Sequence, residues 1–136
     1  MTMIEALVAL GALTFFALGI EIFFTYGSQG LAYGFSSNRP PVTFSPLARR
    51  ISRVYGNQVE AAAYMVPILG AAALVGLDSP LAQTAALAIV LGRIWFALSY
   101  YIGFPFVRIL GFLGGSLGTL TILVLLVQDL LRPIAL

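Results

Sequence analysis

The sequence has very little charge for its length. Only 9% of its 136 residues are Asp, Glu, Lys or Arg, whereas soluble domains carry about 25%. Hydrophobic residues make up 60% of the chain, and the mean hydropathy is +1.02. This composition excludes a soluble domain and predicts an all-α integral membrane protein. The chain has room for about four spans of about 20 residues each and for little else.

Cysteine, histidine and lysine are absent. Without cysteine the chain has no disulfide, no thiolate metal site and no thiol nucleophile of its own, and we expect no bound metal. All seven positive charges are arginines, which stay protonated near neutral pH and cannot act as proton-exchanging bases. No run of interleaved basic and aromatic residues lies outside the apolar segments, so nucleic acid is not an expected partner.

Four apolar segments are separated by turn signals and form a single predicted domain over residues 1–136. The predicted membrane spans are residues 3–24, 57–77, 81–102 and 106–131. A polar loop is predicted over about residues 27–50, and near its end Ser45 and Pro46 suit the N-cap and first position of the second helix. The Asp-Ser-Pro sequence at 78–80 predicts a tight reversal before the third helix. A short tail, 132–136, follows the last span.

The arginines cluster on one side of this predicted topology. Four spans place the first and third loops on the same side of the membrane and both termini on the other. Six of the seven arginines lie in or near these loops, and only Arg132 lies near a terminus. Cytoplasmic loops carry an excess of positive charge. We therefore expect both loops in the cytoplasm and the termini outside, and the short loops favour a bacterial inner membrane.

The second helix carries polar residues on one face. Its positions i, i+4, i+7 and i+11 are Arg53, Asn57, Glu60 and Tyr64, which fall within a stripe of about 60° at about 100° per residue. Such groups are costly at a membrane unless they pair with each other or with a ligand. The stripe is therefore a polar binding site, or else an interfacial network in which Arg53 and Glu60 satisfy each other through Asn57.

Further polar residues are expected at the same end of the bundle. Arg93 and Tyr100 are seven apart on one face of the third helix, and the Gly-Phe-Pro corner at 103–105 returns the chain so that Arg108 can point toward them. The sequence thus predicts that Arg93, Arg108 and Arg53 face one cavity. Three arginines in one cavity need a polyanionic ligand or several carboxylates.

These motifs resemble the family of membrane-associated proteins in eicosanoid and glutathione metabolism, known as MAPEG. Family members have four transmembrane helices and about this total length, and the resemblance extends over the whole chain. Their second helix carries an Arg-x-x-x-Asn-x-x-Glu motif, their third an arginine and a tyrosine seven apart, and their fourth begins with an arginine. The matching residues are Arg53, Asn57 and Glu60, then Arg93 and Tyr100, then Arg108.

The resemblance implies a homotrimer that binds glutathione in a cytoplasm-facing cleft between adjacent subunits. By this resemblance the glutathione-binding residues are Arg53, Asn57, Glu60, Arg93 and Tyr100. Arg108 would face the sulfur and stabilise the thiolate. A hydrophobic co-substrate would enter from the lipid along the groove between subunits. The implied activity is that of a glutathione transferase or peroxidase acting on hydrophobic electrophiles or lipid hydroperoxides.

Three departures from the family pattern narrow this expectation. Residues 27–35 contain no charge, although some eicosanoid-forming members carry arginines there. Phe96 occupies a third-helix position that is histidine in some members, and Ile109 rather than serine follows Arg108. A prostaglandin-synthase-like isomerase is therefore disfavoured.

Two other functions are alternatives. The chain could be a non-catalytic member that binds fatty acid, or a small four-helix multidrug exporter in which Glu21 exchanges protons for a cationic drug. The arginines near the cavity argue against a cationic substrate. For single residues, Arg93 could instead pair with Glu60 or Glu21, and Arg108 could be a positive-inside anchor whose charged end reaches the interface.

The last span contains glycines at the spacing of close helix contacts. Gly111, Gly114, Gly115 and Gly118 form two overlapping small-xxx-small pairs. Such pairs let helix backbones approach closely. We interpret them as packing positions, within or between subunits, rather than as a phosphate-binding loop.

Overall fold

The structure is a computed structural model that describes residues 1–41 and 43–131, and over these residues every regular element is a helix. The elements are α1 (Met3–Gln29), α2 (Leu31–Phe35), α3 (Pro46–Leu74), α4 (Pro80–Ile102) and α5 (Val107–Leu130). The all-α prediction is confirmed. The predicted tail with Arg132 lies outside the described residues.

Local sequence sets the beginnings of the long helices. The Thr2 hydroxyl accepts from the Glu5 N–H, and the Glu5 carboxylate accepts from the Thr2 N–H at 2.8 Å, which forms a capping box. Ser45 caps α3, accepting from the Ala48 N–H at 3.1 Å, and Ser79 caps α4 in the same way. Pro46 and Pro80 each open a helix, where a missing N–H costs nothing. The predicted start of α3 is confirmed.

The segment after the first span differs from its prediction. Helix α1 continues beyond Phe24 to Gln29, and α2 lies inside the segment that was predicted to be loop. The break falls at Gly30, which adopts φ of +85°, a conformation that a residue without a Cβ tolerates. Gly27 and Ser28 lie inside α1 and do not end it.

Within the described residues, three helices are long and apolar enough to cross a membrane: α1, α4 and α5. Helix α3 is not among them, because arginines and Glu60 occupy its first half and only 14 residues (61 to 74) form its apolar part. A span takes about 20 apolar residues. Of the four predicted spans, three are therefore supported by length and composition.

The bundle packs in two helix pairs, α1 against α3 and α4 against α5, joined by smaller contacts of α4 with α1 and α3. The fully buried core side chains include Leu10, Met65, Leu69, Ile89 and Ile122. Large apolar side chains cover the outer surface, and α1 buries only four of its residues. An apolar exterior of this kind suits a lipid environment.

Helices α4 and α5 approach each other through glycines. A Cβ at Gly92 would lie 2.6 Å from the Gly115 backbone nitrogen and 2.7 Å from the Gly111 carbonyl oxygen. A Cβ at Gly118 would lie 2.7 Å from the Ala85 carbonyl oxygen, whereas Gly114 has more room. The interpretation of these glycines as packing positions is confirmed within one subunit. Gly92, on α4, completes the contact and was not singled out in the sequence.

Replacing Gly92 by alanine should destabilise the protein, because backbone atoms of α5 cannot move aside as a flexible side chain can. Overpacking costs about 1–3 kcal/mol, so the melting temperature of the detergent-purified variant should fall. The matched control is Gly19→Ala in α1, where a Cβ would meet nothing within 4 Å. Equal melting temperatures for the two variants would contradict the close α4–α5 contact.

Candidate functional site

The polar stripe of α3 lines a groove of about 420 Å³ at one end of the bundle. Arg53 and Glu60 are exposed and Asn57 is half-buried, on the side of α3 opposite its buried residues. We call this the mixed-charge groove. Its lining residues are Ser52, Arg53, Gly56, Asn57, Glu60, Phe96 and Tyr100. Four of the six residues proposed as a site are thus brought together.

A second groove, of about 460 Å³, adjoins the first. Arg53 and Tyr100 line both grooves, and the Arg108 Cζ lies 4.8 Å from the centroid of the Tyr100 ring. We call this the arginine groove. Its lining residues are Pro46, Arg49, Arg50, Arg53, Ser99, Tyr100, Gly103, Phe104, Pro105 and Arg108. The predicted corner therefore brings Arg108 back beside Tyr100.

The corner between α4 and α5 is fixed by one side-chain bond and one glycine. The Trp95 indole N–H donates to the Val107 carbonyl oxygen at 3.0 Å, which ties α4 to the first turn of α5. Gly103 ends α4 with φ of +92°, in the left-handed region that favours glycine. The position of Arg108, one residue after Val107, follows from these two constraints.

Arg93 does not reach either groove. Its side chain is 2% exposed, its Nε donates to the Gln58 Oε1 at 2.8 Å, and its Cζ lies 4.8 Å from the Phe96 ring centroid. Arg93 instead lines a smaller apolar cavity between α1, α3 and α4. The prediction that three arginines share one cavity holds for Arg53 and Arg108 only, because Arg93 lies on the face of α4 that packs against the buried side of α3.

The partner of Arg93 is an amide rather than an acid. Gln58 is 4% exposed, and its Nε2 donates to the Thr14 Oγ1 at 3.1 Å. The Thr14 hydroxyl donates in turn to the Leu10 carbonyl oxygen at 2.8 Å. Among the described residues, Arg93 forms no ion pair with Glu60 or Glu21, so that alternative is wrong. This chain of hydrogen bonds ties α4, α3 and α1 together.

Gln58 was missed in the sequence, although a signal was present. It falls on the buried stripe of α3 with Val54, Ala61 and Met65, which lie at i−4, i+3 and i+7 relative to Gln58. A lone amide in an apolar stripe needs a buried polar partner. Arg93, the one buried arginine among the described residues, was the available partner.

Two buried polar atoms in the described part of the chain have no hydrogen-bond partner. They are the Asn57 Oδ1 and the Arg50 Nε, one beside each groove. Arg53 and Glu60 form no ion pair with each other in the described structure, so the self-satisfied network is not formed. Buried polar groups without partners are uncommon in proteins, so each of these two atoms calls for an explanation, such as strain, an ordered water or a bound group.

The fold and the site together define an α-helical protein of the membrane with polar grooves at one end of its bundle. The model of the MAPEG family matches residues 3–128, and the chain belongs to the MAPEG family. The resemblance inferred from the motifs is thereby confirmed. Comparisons with curated proteins and with solved structures gave no match.

Replacing Gln58 by leucine should destabilise the protein strongly. The change leaves the Arg93 guanidinium without its acceptor, and an unsatisfied buried polar group costs about 1–3 kcal/mol, more when it is charged. The melting temperature should therefore fall by several degrees. The matched control is Gln83→Leu, because the Gln83 bond to Asp78 is exposed and its loss should change stability little. If the two variants have the same melting temperature, the Gln58 bond to Arg93 does not stabilise the fold.

Proposed function

We propose that the protein is a glutathione-dependent transferase or peroxidase that acts on hydrophobic electrophiles or lipid hydroperoxides. The observation that carries the proposal is an unpaired cation and anion, Arg53 and Glu60, in one groove beside a second groove that holds Arg108. Glutathione bears an ammonium group, two carboxylates and a thiol. Family membership supports this co-substrate, because MAPEG includes glutathione-dependent transferases and peroxidases.

In this proposal the mixed-charge groove binds the γ-glutamyl end. Glu60 accepts from the ammonium group. The Arg53 guanidinium, which is planar and always charged, donates to a carboxylate. The buried Asn57 Oδ1, which lacks a partner, accepts from a peptide N–H of the ligand. Tyr100 lies between the grooves and contacts the middle of the tripeptide.

Arg108 then acts on the sulfur. A free thiol has a pKa of about 8.5, and a nearby fixed cation lowers that pKa by stabilising the thiolate. A tenfold increase in the acidity of the thiol requires about 1.4 kcal/mol of stabilisation. The arginine stays protonated throughout, so the thiol proton leaves to water. In the transferase reaction the thiolate sulfur forms a bond to an electrophilic carbon, and the leaving group departs with the electron pair. In the peroxidase reaction the sulfur attacks the terminal oxygen of the hydroperoxide, the O–O bond breaks, and the alkoxide takes a proton from water to leave as the alcohol. The resulting sulfenic acid of glutathione is then reduced by a second glutathione, which gives the disulfide and water.

We propose that copies of the chain assemble as a homotrimer with α3 facing neighbouring subunits. The exposed side of α3 carries Arg53, Glu60 and Tyr64, and charged groups are costly against lipid. A neighbouring subunit that covers this face would remove the cost and let α3 cross the membrane as a fourth span. The arginine distribution supports cytoplasmic loops and outward termini, and the short loops support a bacterial inner membrane.

The non-catalytic alternative, fatty-acid binding, is favoured by a separate observation. The apolar cavity on which Arg93 lies has a volume of about 140 Å³ and is lined by Phe16, Ile20 and Leu98 among others. A cation in an apolar wall suits a carboxylate with a hydrocarbon tail. The exporter alternative has no support once the family is established.

Glutathione should raise the melting temperature of the detergent-purified wild type. At about 100 times the dissociation constant, a ligand stabilises the folded state by about 2.7 kcal/mol. Arg53→Ala and Glu60→Gln should remove this increase. Arg108→Ala should keep most of it but lose the ultraviolet absorbance of the bound thiolate, which separates binding from sulfur activation.

The matched control is Arg39→Ala, because Arg39 lines neither groove and contacts Tyr33 and Gly34 instead. It should retain both the stabilisation by glutathione and the thiolate absorbance. If glutathione leaves the melting temperature of the wild type unchanged and fatty acid raises it, the enzyme proposal is wrong and the lipid-binding alternative is supported.

A further inference from the structure

The arginine groove holds more positive charge than the proposed thiol-peptide site uses. Among the described residues, four arginines and no acidic residue line it. Arg53 and Arg108 are assigned above, but Arg49 and Arg50 are not. Their charges lie in the same groove, and among the described residues neither forms an ion pair.

Two of the arginines in the groove lie at helix ends where the helix dipole disfavours a cation. Arg49 lies in the first turn of α3 and Arg108 in the first turn of α5, and neither first turn contains an acidic residue. The N-terminal end of a helix carries a partial positive charge, so cations there are unfavourable and anions favourable. An anion between these two helix ends would be stabilised by both.

Arg50 is held in the wall of the groove. Its side chain is half-buried, its Nε is buried without an acceptor, and its Nη1 packs on Gly103 where a Cβ would lie. Gly103 therefore serves two purposes, because its missing side chain also makes room for the guanidinium. Arg50 also lines the groove, so a guanidinium held in this position can direct its other N–H groups to an anionic ligand there.

The rim of the groove is apolar. Phe104, which lines the groove, is 56% exposed, and Phe106 next to it is 80% exposed. A ligand that combines an anionic group with a hydrocarbon part matches both the floor and the rim.

We propose that the arginine groove binds a phosphate group, carried by an anionic phospholipid of the surrounding bilayer or by a soluble phosphorylated molecule. A phosphate offers several acceptor oxygens, and guanidinium groups bind phosphate in a bidentate way. Arg49 and Arg50, which the proposed glutathione site does not use, donate to the phosphate. Arg53, on the border of the two grooves, contacts either ligand. The proposal does not require that glutathione binds.

The test is the melting temperature of the purified protein with added phosphatidylglycerol, with phosphatidylcholine of the same chains, and with inorganic phosphate against chloride at equal ionic strength. Phosphatidylglycerol should raise the melting temperature by about 5 °C more than phosphatidylcholine when it is about 100-fold above its dissociation constant. Arg49→Gln and Arg50→Gln should each lose at least about half of this difference. The charge-matched control, Arg39→Gln, should keep it.

A higher melting temperature with inorganic phosphate alone, lost in the same two variants, would support the phosphate site with a soluble ligand as its source. No change in any arm, or equal changes in all variants, would overturn the proposal and leave the arginines as positive-inside anchors.

If Arg50→Gln does not fold, Arg49→Gln decides alone, because the Arg49 side chain is exposed. Glu60→Gln, which alters only the other groove, should abolish the stabilisation by glutathione and spare that by phospholipid, so the two proposals fail separately.

Discussion

The close contact between α4 and α5 determines where the polar groups of this protein lie. At Gly92 and Gly111 the two backbones meet with no side chain between them, so the register of one helix on the other is fixed. That register, together with the Trp95 bond to the start of α5, sets Arg108 beside Tyr100. Because glycine contacts hold helices together without polar groups, the arginines at the end of the bundle are left available for a ligand.

The arginines of this bundle are of two kinds, which differ in depth and in the groups around them. Arg93 is buried and its Nε donates to a neutral amide, so its charge ties three helices together through hydrogen bonds. Arg53 and Arg108 lie at the end of the bundle and line grooves, where a solvated or ligand-bound charge costs less. Depth therefore separates the hydrogen-bonded arginine of the core from the arginines that line the grooves, although the motifs that identify the family include both. The assignment of Arg93 to glutathione, implied by the resemblance, stays a prediction that the geometry does not favour.

Local signals in the sequence were enough to predict the cap at Ser45, the reversal before α4, the polar stripe of α3 and the packing glycines. Each depends on spacing along one helix or on one residue and its neighbours. The partner of Arg93 could not be predicted in this way, because it depends on which face of α4 packs against α3. Helix α2 was missed because the Gly-rich and Ser-rich sequence around it resembles a loop, and only Gly30 adopts a conformation that breaks the helix.

Helix α3 links the fold to the proposed activity. Its buried stripe carries one amide that the bundle satisfies, whereas its opposite stripe carries Arg53 and Glu60, which the bundle leaves exposed. A helix with this division is too polar to face lipid and too apolar beyond Ala61 to face water. Both problems are solved if the exposed stripe meets a neighbouring copy of the chain with a charged ligand between them. The polarity that keeps α3 from qualifying as a span on its own is then the property that makes it a binding surface in an assembly.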